Sequence, residues 1–262
     1  MDAVELRKYC LLGQNDEIAL RNVRDILEVM PLEKSDKLLE IGCGTGGLSK
    51  HLSGYVKSIT AFDVSPAMIQ EAREHFPGNN IEYHVADAGD PSTYKKYGAF
   101  FDKVIAHYCL HWLKDPSACL QGIYHCLKPG GRCFVNMQCE VAEDTFSGIF
   151  AYPMNSKWAE YMEGYECPYN AFKGTKDDFR KLLDEAGFKS QYVHCKTYIE
   201  DLDLDETTAK AYCRTLMGAK NRVPRDKQEE YMNEAFESAT KRKTEEGRCI
   251  LTSKLLAATA QK

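Results

Sequence analysis

Between residues 37 and 138, short apolar β-type runs alternate with helical patterns, and no other feature constrains the chain as tightly. Strands are expected at 37–41, 58–62, 81–85, 102–106 and 132–137, with helices at 46–52, 66–75 and 115–127. Strands separated by helices pair in parallel through crossovers, so the fold class is α/β with a parallel sheet. Ahead of this region Ile18, Leu20, Val23, Ile26, Leu27 and Met30 keep a 3.6-residue period. They predict a helix that Asn15 or Asp16 caps and Pro31 closes.

After Gln138 the rhythm changes. Phe146, Phe150, Tyr152, Trp158, Tyr161, Tyr165, Tyr169 and Phe172 crowd into thirty positions of a chain that is 11% aromatic. A helix over 176–186 stops at Gly187, a residue suited to a helix C-terminus. A strand over 190–198, two helices within 205–245 split near Pro224, and a last strand over 249–260 complete the pattern. The expected organisation is one domain over 1–262. Its core spans about 31–140, and a helical cap drawn from about 141–175 and 203–247 is interleaved with the last strands.

Composition excludes several function classes. A formal charge of −5 on 262 residues lacks the basic excess of a nucleic-acid binder. The one dense basic run, Lys241-Arg242-Lys243, lies beside Glu245 and Glu246 and reads as a solvated helix end. No apolar run reaches the ~18–20 residues of a membrane span. The first residues, Met1-Asp2-Ala3-Val4-Glu5, do not read as a signal peptide. Eleven cysteines without a CxxC pair fit neither a zinc module nor a disulfide scaffold, and a cytoplasmic location is expected. Five acids within 200–206 do not follow calcium-loop spacing, so no metal site is expected.

The sharpest local signal is Leu38-Leu39-Glu40-Ile41-Gly42-Cys43-Gly44-Thr45-Gly46-Gly47, a strand running into a glycine-rich turn that opens a helix. Gly42, Gly44 and Gly47 satisfy the dinucleotide pattern GxGxxG. Glu40, Gly42, Gly44 and Gly46 equally satisfy the E-x-G-x-G-x-G turn of S-adenosylmethionine (SAM) enzymes. Asp63, at the end of the next strand, suits the ribose hydroxyls of either cofactor. Asp87, after the third strand, suits an adenine amino group.

Two further segments separate these readings. Asp63-Val64-Ser65-Pro66-Ala67-Met68 and Leu127-Lys128-Pro129-Gly130-Gly131 resemble the D-x-S-x-x-M and L-x-P-G-G segments of class I SAM-dependent methyltransferases. That resemblance implies a Rossmann-like, seven-stranded, mostly parallel sheet of order 3-2-1-4-5-7-6 with a helical cap, and SAM as cofactor. It also implies cofactor contacts from Cys43, Val64 and Met68, from Ala86 and Ala88 flanking Asp87, and from the backbone of His107.

His107-Tyr108-Cys109-Leu110-His111-Trp112-Leu113-Lys114-Asp115 is more specific. It resembles the Y-C-L-H-W-x-x-D segment of the juvenile hormone acid methyltransferase family, which esterifies sesquiterpenoid acids such as farnesoic acid. The resemblance implies catalytic, substrate-placing roles for Gln14 and Trp112, with His111 as a polar neighbour. A carboxylic acid is already ionised at neutral pH and needs positioning more than deprotonation. The aromatic surplus, including Phe150 and Trp158, suits a hydrophobic acid as partner. The alternatives left open are a methyltransferase for another small carboxylic acid or lipid, and a non-catalytic carrier of an apolar ligand.

Overall fold

The computed structural model describes residues 16–139 and 148–262. Gln14, Asn15 and Phe146 lie outside the described residues. The first described helix, α1 (Asp16–Val29), turns Val23 and Ile26 inward, followed by Met30. The sheet then builds in chain order from β1 (Lys37–Ile41), β2 (Ser58–Asp63), β3 (Ile81–Val85), β4 (Phe101–Ala106), β5 (Leu127–Gln138), β6 (Val193–Leu204) and β7 (Cys249–Gln261). Its strand order is 3-2-1-4-5-7-6. β1 pairs in parallel with β2 and β4, β2 with β3, and β4 with β5.

The crossovers are α2 (Gly47–Leu52), α3 (Pro66–His75) and α4 (Ser117–Cys126). Leu38, Leu39, Ile41, Val104, Ile105 and Ala106 are fully buried, as continuous apolar runs must be when both faces of a sheet are covered. Later helices are α5 (Gly148–Ala151), α6 (Lys176–Glu185), α7 (Glu206–Leu216) and α8 (Gln228–Ala239). Thr175 and Asp178 form a capping box at the start of α6, and Gly187 leaves its end at φ 112°.

The chain divides into two compact units. Of the described residues, one comprises 16–137, 174–197 and 256–262; the other comprises 138–139, 148–173 and 198–255. Within the second unit the aromatics pack on one another. Phe150 stacks on Tyr169 at 4.1 Å, and Trp158 meets Tyr231 edge-on at 5.6 Å. Glu234 on α8 accepts from the Trp158 indole N–H at 2.8 Å, from the Tyr152 hydroxyl at 3.0 Å and from Lys157 Nζ at 2.8 Å. Glu234→Ala is expected to lower unfolding free energy by about 2 kcal/mol, because the buried Trp158 indole and the half-buried Tyr152 hydroxyl lose their acceptor together. Urea denaturation checks this, and Glu234→Gln should recover part of the loss.

Three expected boundaries move. β5 begins at Leu127 rather than 132, since Leu127 already pairs with Phe101. Gly131 sits there because a Cβ would lie 2.9 Å from the Lys128 carbonyl and 3.0 Å from that of Asp102. The strand expected at 190–198 runs instead as Val193–Leu204. Its Asp201 pairs with Arg242 of the basic run read as a solvated helix end and its Asp203 with Arg248, while Lys243 of the same run pairs with Glu206 at the start of α7. Asp205 caps α7 by accepting from Thr208 N at 2.9 Å. Among the described residues no helix is long and apolar enough to cross a membrane.

Candidate active site

The glycine turn is shaped by backbone bonds. Gly42 N and Cys43 N both donate to the Phe62 carbonyl, at 2.8 and 3.0 Å, extending the β1–β2 ladder by one step. The chain then turns away. Gly44 N donates to Asp63 Oδ2 at 3.0 Å, while Asp63 Oδ1 accepts from Ser65 N at 2.9 Å. The Asp63 carboxylate thus ties the first loop to the second, a duty the sequence reading did not give it. Burial raises its pKa, and the two N–H groups oppose that rise.

Gly42 and Gly44 both hold positive φ, for different reasons. A Cβ on Gly42 (φ 71°) would sit 2.7 Å from Cys109 Sγ, whereas one on Gly44 (φ 54°) would meet nothing within 4 Å. Gly42 therefore serves packing, and Gly44 leaves an open approach to the backbone. Glu40 is buried beneath the turn and accepts from Ser49 Oγ at 2.6 Å. Burial, with the Asp63 charge as a lesser cause, lifts its pKa to about 7.

Around this turn the carboxyl ends of β2 and β3 expose apolar surface. Val64 is 64% exposed and Val85 50%, each at a strand end where a core fold would bury it. Two exposed valines beside an acid suit the face and edge of a purine. Met68 lies half-buried in the first turn of α3, where its N–H is bound by Ser65 Oγ at 3.3 Å. The serine of D-x-S-x-x-M is thus the helix cap, followed by Pro66 at the first helical position. After β3, Ala86 N donates to the Asp63 carbonyl at 3.0 Å and Ala88 is buried. Asp87 is exposed and accepts from Gly89 N at 2.7 Å.

The segment after β4 carries His107, His111 and Trp112. Tyr108 adopts φ 51°, a region that bulky residues rarely enter. Its N–H donates to Asn136 Oδ1 at 2.7 Å. A 3-10 turn, Leu110–Trp112, follows, and Trp112 N donates to the Cys109 carbonyl at 3.0 Å. His111 is buried and lies 5.3 Å from the Trp112 ring, which itself stays 39% exposed. Burial pushes the pKa of both histidines down to about 3, with the Arg21 charge adding to the effect at His107. Neither ring carries charge or appreciable basicity at neutral pH.

One unit therefore gathers the turn residues Glu40, Gly42, Cys43, Gly44 and Gly46. It also holds Asp63, Val64 and Met68 after β2, Ala86, Asp87 and Ala88 after β3, and His107, His111 and Trp112 after β4. Phe150 and Trp158 belong to the other unit. Tyr108 and Asn136 escaped the sequence reading, since neither a tyrosine's φ nor a strand asparagine's partner leaves a pattern in sequence.

Residues 39–135 match the methyltransferase domain family. Over that stretch the chain carries a methyltransferase domain, and as a whole it resembles class I SAM-dependent methyltransferases. It resembles juvenile hormone acid O-methyltransferase of Bombyx mori, 26% identical over 65% of this chain and 63% of that protein. It is also similar to the Drosophila melanogaster enzyme of the same name, 26% identical over 76% of this chain and 69% of that one. In fold it is similar to phosphoethanolamine N-methyltransferase 2 of Haemonchus contortus, with a TM-score of 0.61 at 17% identity, covering 98% of this chain and 56% of that one.

The chain's own residues fit SAM: an open backbone approach at Gly44, an acid at Asp63, and exposed apolar side chains at Val64 and Val85.

Proposed function

We propose that this methyltransferase esterifies the carboxylate of a hydrophobic acid, most closely a sesquiterpenoid such as farnesoic acid or juvenile hormone acid. The observation that carries the reading is the pair of buried, neutral histidines in the segment after β4, His111 with its ring 5.3 Å from that of Trp112. With pKa values near 3 they are too weakly basic to take a proton from an amine, alcohol or phenol acceptor. A carboxylate brings its own negative oxygen and requires no such base. When bound, SAM supplies an electrophilic methyl on a sulfonium.

The remaining work falls to this chain. Glu40, Asp63 and Asp87 hold the polar parts of the cofactor, and Val64 with Met68, Ala86 and Ala88 covers its base. Cys43, Gly42, Gly44 and Gly46 let the backbone approach, and the His107 backbone borders the methionine end. Trp112 and Gln14 orient the acid, with His111 packed behind the indole. Phe150 and Trp158 are the aromatics proposed for an acid's hydrocarbon tail. The Bombyx and Drosophila relatives' names support this substrate class.

The test is a panel of acids with methyl-labelled SAM: farnesoic acid, a straight-chain acid of equal length, a short polar acid, an amine and a phenol. Methyl ester from the long apolar acids is expected. Labelled amine or phenol without ester would overturn the reading, and failure to bind SAM in calorimetry would favour the carrier alternative. Trp112→Phe is expected to lower kcat/KM for the preferred acid about 10- to 100-fold, through lost orientation of the reacting oxygen. Its SAM affinity, read by calorimetry, should change little.

A further inference from the structure

We propose that Asn136 is a positioning residue for methyl transfer, holding Tyr108 in its left-handed conformation and so seating the Cys109 side chain against the glycine turn. The proposal rests on the methyl-transfer reading above. Its structural part stands on four observations within one compact unit.

Tyr108 is a bulky residue at φ 51°, and such a conformation persists only where the surroundings enforce it. The enforcing group is Asn136 Oδ1, which accepts the Tyr108 N–H at 2.7 Å. Asn136 is only 1% exposed, and it lies one step beyond the Ala106–Val135 pair that closes the described β4–β5 register. A side chain so placed captures the chain just as it leaves the sheet.

The consequence appears one residue later. With Tyr108 turned, Cys109 is buried and its Sγ and Cβ stand 2.7 and 2.9 Å from where a Gly42 Cβ would be. The turn carrying Trp112 therefore rests directly on the turn that approaches the cofactor. The same geometry explains why Trp112 N finds the Cys109 carbonyl at 3.0 Å. Asn136 fixes the spacing between the two loops through Tyr108 and Cys109. Transfer between two held partners falls steeply with small displacements, whereas affinity for either partner alone does not.

A double-mutant cycle of Asn136→Ala and Tyr108→Gly tests this, since glycine adopts φ 51° without strain. Three quantities are read: the urea midpoint of the ligand-free protein, SAM affinity by calorimetry, and kcat with farnesoic acid at saturating SAM. Asn136→Ala is expected to lower the midpoint and to cut kcat about 10- to 100-fold, with SAM affinity held within about threefold. In the Tyr108→Gly background both losses should shrink to less than a third of their size. Asn136→Asp, which keeps the acceptor, should retain most of the midpoint, and it serves as the comparison if Asn136→Ala does not fold.

Additive midpoint losses in the cycle would overturn the link to Tyr108. A parallel fall of SAM affinity and kcat would overturn the positioning role. If the parent esterifies no acid, the reaction proposed above is what fails, and the midpoint cycle still decides whether Asn136 enforces the turn.

Discussion

Glu40→Gln is expected to unfold at a higher temperature than the parent at pH 8 and to bind SAM more weakly. The Glu40 carboxyl is buried, and its pKa rises from 4.5 to about 7. The folded protein thus keeps a proton on Glu40 between about pH 4.5 and 7, where the unfolded chain has released it. The sign follows from linkage: the folded state binds more protons over that interval, so stability falls as pH rises through it and stays lowered above pH 7. The full cost is on the order of 3 kcal/mol. Glutamine removes the ionisation while leaving an oxygen for Ser49 Oγ. The variant should therefore match the parent near pH 4.5 and gain about 5 °C or more at pH 8 by thermal unfolding. Equal melting temperatures at pH 8 would mean that the carboxyl is not held as buried. The expected loss of SAM affinity follows from trading a carboxylate for a neutral amide under a cationic cofactor. Stability given up for an ionised, buried acid is a familiar cost of a functional site.

The parallel half of this fold was legible because its signals are local. Apolar runs mark β1 to β4, and the serine cap and proline of α3 mark a helix start within a residue. The glycine turn was legible as a motif but ambiguous as chemistry; the downstream Asp63–Met68 and Leu127–Gly131 segments separated the cofactors. What failed in sequence was non-local. Asp201 and Asp203 look like residues ahead of a helix, yet they lie in β6 because Arg242 and Arg248, some forty positions later, neutralise them. Acids are poor strand formers on their own, and cross-strand pairing offsets that preference. Asn136 reads as one polar residue in an apolar strand, and only the folded register reveals that its acceptor meets the Tyr108 N–H. Trp158 reads as one of a cluster of aromatics, and only the fold shows that its indole N–H is donated to Glu234, a partner 76 positions away.

Gly44→Ala and Gly42→Ala should fail in opposite ways, and the contrast tests whether the turn is built for a ligand. Both place an alanine at positive φ, which costs about 1–2 kcal/mol on its own. At Gly42 the added Cβ also meets Cys109 at 2.7 Å, a close-packed contact that adds about 1–3 kcal/mol of overpacking. Gly42→Ala is therefore expected to lose several kcal/mol in urea unfolding whether or not SAM is present. At Gly44 the Cβ enters open space, so the ligand-free protein should lose only the backbone cost. That methyl occupies the approach to Gly44, and SAM affinity should fall at least tenfold, with the stabilising shift SAM gives the parent shrinking in proportion. A Gly44→Ala protein that bound SAM as tightly as the parent would place the cofactor away from this turn. Stable folding with lost binding at one glycine, and lost folding at its neighbour two residues away, is the behaviour of a turn whose glycines answer to separate demands.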